Sequence, residues 1–121
     1  MPQTSALLTN NATSSLASSI TNVATSMTVA AGQGAKFPNP GIREYFYVTL
    51  SDIAGVNIEI VKVTTRATDV FTIVRGQDGT TGIAFNASDT VELRPIAALF
   101  REKLDVISVW SRALASNSVR P

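Results

Sequence analysis

The chain has 121 residues and a net charge of +1, the size of one domain with one modest core. Only 16% of its residues are charged, against a typical ~25%. It contains neither Cys nor His, which excludes disulfides, thiolate metal sites, a Cys nucleophile and any Ser-His-Asp machinery, and argues against an enzyme. The sequence pI is about 8.1 and no Lys/Arg cluster stands out, so a phosphate-driven nucleic-acid partner is not expected. The apolar runs are far short of the ~20 residues a membrane-spanning helix needs. Met1-Pro2-Gln3-Thr4 lacks the basic n-region and apolar core of a secretory leader, so synthesis in a cytoplasm is expected.

The first zone, Met1 to about Gly34, carries no charged side chain and is dense in Ser, Thr, Asn and Ala. Residues 1–15 read as an extended polar arm, because they hold too little apolar surface to fold alone. Thr4, Leu7, Leu8, Asn10 and Asn11 are its candidate docking residues. An uncharged, hydroxyl-rich segment enters a protein groove at low desolvation cost. Leu16–Thr21 and Ser26–Val29 are each able to join a sheet, Met27 and Val29 alternating with Thr28.

The second zone is a β-rich module, placed over 16–94. Phe37-Pro38-Asn39-Pro40-Gly41 is a loop that no helix crosses. Tyr45–Leu50 then alternates strictly, with Phe46, Val48 and Leu50 on one face and Tyr45, Tyr47 and Thr49 on the other. Ser51–Gly55 is a turn and Asn57–Thr65 the returning strand of a hairpin. The apolar phase shifts at Ile60-Val61, which calls for a bulge or for cover on both faces. Ala67-Thr68-Asp69 is a second turn, Val70–Arg75 a third strand and Thr90–Leu93 a fourth. The predicted class is mainly β: a compact antiparallel meander or small sandwich with an N-terminal arm and a C-terminal helix.

The most distinctive run is Val74-Arg75-Gly76-Gln77-Asp78-Gly79-Thr80-Thr81-Gly82. It lacks the Lys and the following helix of a phosphate-binding loop. Asp78-Gly79 is a turn dipeptide, since Gly accepts positive φ. Arg75 and Gln77 carry donors suited to pin the loop onto carbonyls or onto a carboxylate such as Asp89 or Glu92. Asp52, Asn57 and Glu59 fall short of a calcium-loop pattern and read as turn chemistry. No catalytic residue, metal ligand or cofactor site emerges.

The third zone starts at Pro95, a residue favoured at the first position of a helix. Residues 95–116 read as one helix and 117–121 as a tail. Ala97, Phe100, Leu104, Ile107, Ser111 and Leu114 form a heptad-type seam, broadened by Ile96, Leu99 and Trp110. Such a helix packs on its own sheet or joins copies of the chain. The expected interface residues are Phe100, Leu104, Ile107, Trp110 and Leu114, with a homotrimer the expected state.

Taken in order, Glu44–Leu50, Ile58–Thr64, Thr72–Thr81 and Val91–Arg94 resemble the small β-rich module at the start of many tailed-bacteriophage tail-fibre and related appendage proteins. Arg75, Gly76, Gln77, Asp78, Gly79, Thr80 and Thr81 are its most specific part. The resemblance implies a virion structural protein, a short tail fibre or an anchoring subunit on the tail or neck. Its implied partners are sister chains and other virion proteins, such as a tail adaptor, a neck or portal-proximal protein or a longer fibre. Against longer members, the chain is expected to lack a fibre repeat or receptor-binding domain after the helix. A capsid decoration or head-fibre protein is the alternative within this class. A small enzyme, an enzyme accessory protein or a carbohydrate-binding module, the last with Tyr45, Tyr47 and Trp110 stacking sugars, is the alternative outside it, although Tyr45 and Tyr47 fit a covered sheet better.

Overall fold

The structure is a computed structural model that describes residues 5–9, 12–94 and 96–97. Seven strands are present among them: β1 (Ser5–Ala6), β2 (Thr13–Ser15), β3 (Ser26–Thr28), β4 (Glu44–Ser51), β5 (Ile58–Ala67), β6 (Val70–Gln77) and β7 (Thr90–Glu92). They form one sheet in the order β2-β7-β4-β5-β6-β3, with β1 added in parallel to β4. The other pairings are antiparallel. The sheet curls until its two end strands meet where Leu16 bridges Val29, through Ala17 N–H to Thr28 C=O and Ala30 N–H to Ser15 C=O, each 2.9 Å.

The long strands are those with the clearest alternation. β4 and β5 pair without interruption from Phe46–Val63 to Ser51–Ile58. The turn between them is closed by Asp52, whose carboxylate accepts the Val56 amide at 2.9 Å and the Asn57 side-chain amide at 2.7 Å. β5 and β6 form a second hairpin, with register shifts between Ile60 and Lys62 and between Val63 and Thr65. The meander runs through β4, β5 and β6; β7 then returns to the far edge of β4.

The concave face holds the core. Phe37, Phe46 and Phe71 pack with ring centroids 5.2–6.0 Å apart. Leu50, Val48, Val61, Val63, Ile73 and Val91 complete it, together with Ala12, Leu16, Ile20, Met27 and Val29 from the uncharged N-terminal third. Burying a side chain of the larger type is worth about 1.5–3 kcal/mol, so the N-terminal third contributes substantially to the stability of the fold. The segment read as an arm therefore supplies two strands and a core residue: β1 lies on β4, β2 lies on β7, and Ala12 is buried.

The convex face of β4 is covered as well. Tyr45 and Tyr47 are buried with Ala6 and Ile96, and Ile60 packs against them. Both expected causes of the apolar phase change at Ile60-Val61 are present: the Ile60 face is covered, and β5 shifts register against β6 between Ile60 and Lys62, while its pairing with β4 stays regular. The predicted helix, apart from Ile96 and Ala97, and the tail lie outside the described residues.

Candidate functional site

Two places gather polar side chains. The first is the loop after β6, which holds the distinctive motif. Alternation along β5 places Glu59 in phase with Val61 and Val63, so its carboxylate enters the concave side and is fully buried. A lone buried carboxylate is costly, and this one is fully partnered. Oε2 accepts Arg75 Nε at 2.8 Å and the Gly76 amide at 2.9 Å. Oε1 accepts Arg75 Nη2 at 2.7 Å and the Ile83 amide at 2.9 Å.

Arg75 is equally complete. Its remaining donors go to the carbonyls of Thr21, Ala24 and Ile83. Every N–H of the planar fork thus has an acceptor, a bidentate geometry that Lys does not reproduce. The carboxylate partner is Glu59. Asp89 instead accepts the Asn86 amide at 2.7 Å and Glu92 pairs with Arg94 at 2.9 Å, so neither of the two expected acids serves Arg75. The cause is register: Glu59 enters the side of the sheet from which Arg75 approaches. Burial alone pushes the Glu59 carboxyl up, but the hydrogen bonds from Arg75, those from Gly76 and Ile83, and the Arg75 charge outweigh it, and it ends below the ordinary value.

The rest of the motif shapes the loop. Asp78 and Gly79 both have positive φ, as the two central positions of a type I′ turn require, and the Thr80 amide closes the turn on Gln77 C=O at 3.0 Å. The Thr80 hydroxyl donates to Gln77 C=O at 2.7 Å and accepts the Ile60 amide at 3.0 Å. The Gln77 side-chain amide donates to Arg75 C=O at 3.1 Å. Thr81 is exposed. Gly82 lies where any Cβ would stand 2.5 Å from Asn22 C=O. The motif therefore grips the 20–25 segment by its backbone.

A second anchor, not anticipated from the sequence, sits at the other end of β6. Asp69 accepts the Gly34 amide at 2.8 Å and the Gly32 amide at 3.0 Å, and these bonds hold its carboxyl below the usual range. Its signal was the Thr68-Asp69 turn, which sequence alone gives no partner. Asp52 and Asn57 perform the turn chemistry expected of them, whereas Glu59 belongs to the buried pair. Among the described residues, no group of three or more acidic side chains is placed to hold a metal ion.

The second place is an open cleft of about 710 Å³ lined by Pro40–Tyr45 with Lys62, Thr64 and Thr65. It lies where β4 and β5 diverge. The Lys62 ammonium stands 4.6 Å from the Tyr45 ring centroid and 5.9 Å from that of Tyr47. These two tyrosines pack edge to face in a covered patch and are not a free stacking platform.

Of the expected docking residues, Leu7 is half-buried against the core and Leu8 is exposed; Thr4, Asn10 and Asn11 lie outside the described residues. The same is true of Phe100, Leu104, Ile107, Trp110 and Leu114. Among known proteins, no family model matches the chain and no curated protein matches it.

Proposed function

We propose that this chain is a structural protein of a bacteriophage virion, a short tail fibre or fibre-anchoring subunit attached to the tail or neck. The observation that carries this reading is the ordered series of motifs from Glu44 to Arg94, with Arg75–Thr81 at its centre. The geometry agrees with such a role. The polar groups of Arg75, Gln77 and Thr80 are spent on internal bonds that lock a strand-bearing segment to a hairpin. Spending them this way makes a rigid part for assembly. Self-association through the seam of Phe100, Leu104, Ile107 and Trp110 belongs to the same proposal.

The test is mass spectrometry and immunogold labelling of gradient-purified phage particles from cells that make this protein. Tens of copies per particle with label on the tail or neck are expected. Hundreds of copies over the head would replace this reading with a capsid decoration protein. Its absence from particles would overturn the virion reading.

A further inference from the structure

The cover on the convex face stops partway across the sheet. Ala6 and Ile96 bury Tyr45 and Tyr47 of β4, and Ile60 of β5 packs at the border of that patch. Phe71 and Ile73 are in the core, so alternation puts Val70, Thr72 and Val74 of β6 on the convex side. Val74 is 45% exposed, and Thr72 and Val70 are exposed with it. Val74 stands opposite Lys62, which makes it the diagonal neighbour of Ile60. Lys62 itself lies over the Tyr45 ring at 4.6 Å. An apolar path thus leads from the tyrosine patch through Ile60 to Val74 and ends in the open. A single exposed valine is ordinary on a surface; one that continues a buried cluster marks a face that takes a cover.

The chain itself reaches this face. Ile96 is buried in the patch, and Ala97 opens the helix beside it. A helix over 98–116 is about 28 Å long at 1.5 Å per residue. Crossing from β4 to β6 takes two strand spacings, about 10 Å. Helical periodicity sorts its apolar residues into two lines. Leu99 and Val106 stand two turns apart on one line. Phe100, Leu104 and Ile107 form the other, about a third of the circumference away. Lys103 falls between the lines, and a lysine stem covers apolar surface while its ammonium reaches water. Ile96 is buried, whereas Ala97, the first member of the Phe100–Ile107 seam, is exposed. The helix therefore starts with its seam turned off the sheet, and the line of Leu99 and Val106 is the one left to meet it.

We propose that the segment 98–116 lies as a helix on the convex face of its own sheet, where Leu99 and Val106 seal Ile60 and Val74, and so holds the Phe100–Leu104–Ile107 seam outward. The sheet contact stands independently of the virion reading; the use of the outward seam by sister chains rests on it.

The test exploits a chain without Cys. Val74→Cys is combined in the full-length protein with Leu99→Cys, with Val106→Cys or with Ser108→Cys on the polar side of the helix, and each pair is treated with a short bismaleimide. Thermal midpoints equal to that of the parent verify that the variants fold. Denaturing electrophoresis and peptide mass mapping then separate links within one chain from links between chains. Position 99 or 106 should link to 74 within one chain, roughly tenfold faster than position 108, because packing raises the effective concentration of the pair. No link from 99 or 106, or a link from 108 at the same rate, would overturn the proposal. Links only between chains would also overturn it, since a sister copy would then supply the cover. Light scattering of the same samples keeps the two readings apart. A monomer with the link inside one chain would uphold the sheet contact and remove self-association; a trimer linked only between chains would do the reverse.

Discussion

Arg75 and Glu59 are the two side chains on which the fold depends most. Breaking a buried pair by removing one partner costs about 3–5 kcal/mol, a large share of the ~5–15 kcal/mol that holds a typical domain. Arg75→Ala also removes a donor from the carbonyls of Thr21, Ala24 and Ile83. Its denaturant midpoint is expected to fall by that margin, and Arg75→Lys to recover only a minor part because the fork is lost. A variant with an unchanged midpoint would mean that the pair stabilises little. The same pair gives the protein an acid limb. The folded-state pKa of Glu59 is lowered from 4.5, so its contribution is fully present above that value and is lost as pH falls through the lower folded value. Asp52 and Asp69 are shifted in the same direction. Thermal melts should therefore show a midpoint nearly flat near neutral pH that declines below about pH 4.5. Glu59→Gln should lower the plateau and make the decline shallower.

The element scale explains how strands of two or three residues persist. β1, β2 and β3 are too short to stand alone. They are held because Ala12, Leu16, Met27 and Val29 reach the core, and because Arg75 and Asp69 grip the intervening backbone at the two ends of β6. That grip requires close approach. Gly82→Ala would drive a methyl group into Asn22 C=O and should cost about 1–3 kcal/mol, the range for overpacking. At Gly79 a methyl group would meet no atom within 4 Å, so Gly79→Ala faces only the strain of its positive φ and should cost less. Chemical denaturation of the two variants side by side measures the difference; equal costs would mean that the 20–25 segment is held less tightly than its hydrogen bonds indicate.

At the scale of the whole molecule, the question is what the seam of Phe100, Leu104, Ile107 and Trp110 contacts. Under the proposed function, light scattering of the full-length protein across a range of concentrations should give the mass of a trimer, and Leu104→Asp should reduce it to that of a monomer. A monomer at every concentration would remove self-association from the proposal. Truncation from the N-terminus also divides at this scale. Removing 2–9 takes away β1 with Ala6 and Leu7, whereas removing 2–15 also deletes β2 and the core residue Ala12. The shorter truncation is therefore the one that separates docking from folding.

The mainly β class, the β4–β5 and β5–β6 hairpins and the turn at Asp78-Gly79 were legible in the sequence, because alternation and turn chemistry are local properties. So was the capacity of Ser26–Val29 to pair. The chain alone did not show that Glu59, and not Asp89 or Glu92, meets Arg75. Yet Glu59 stands in phase with Val61 and Val63, and an acid on the apolar face of a strand signals a buried partner. Nor did it show that residues 12–15 join β7, that Asp69 anchors Gly32 and Gly34, or that β4 and β5 part below Phe46. Those facts depend on which strands meet across the curled sheet and at what register, and pairings between residues 16–54 positions apart, such as Glu59 with Arg75 and Thr21 with Arg75, are fixed only by the tertiary fold.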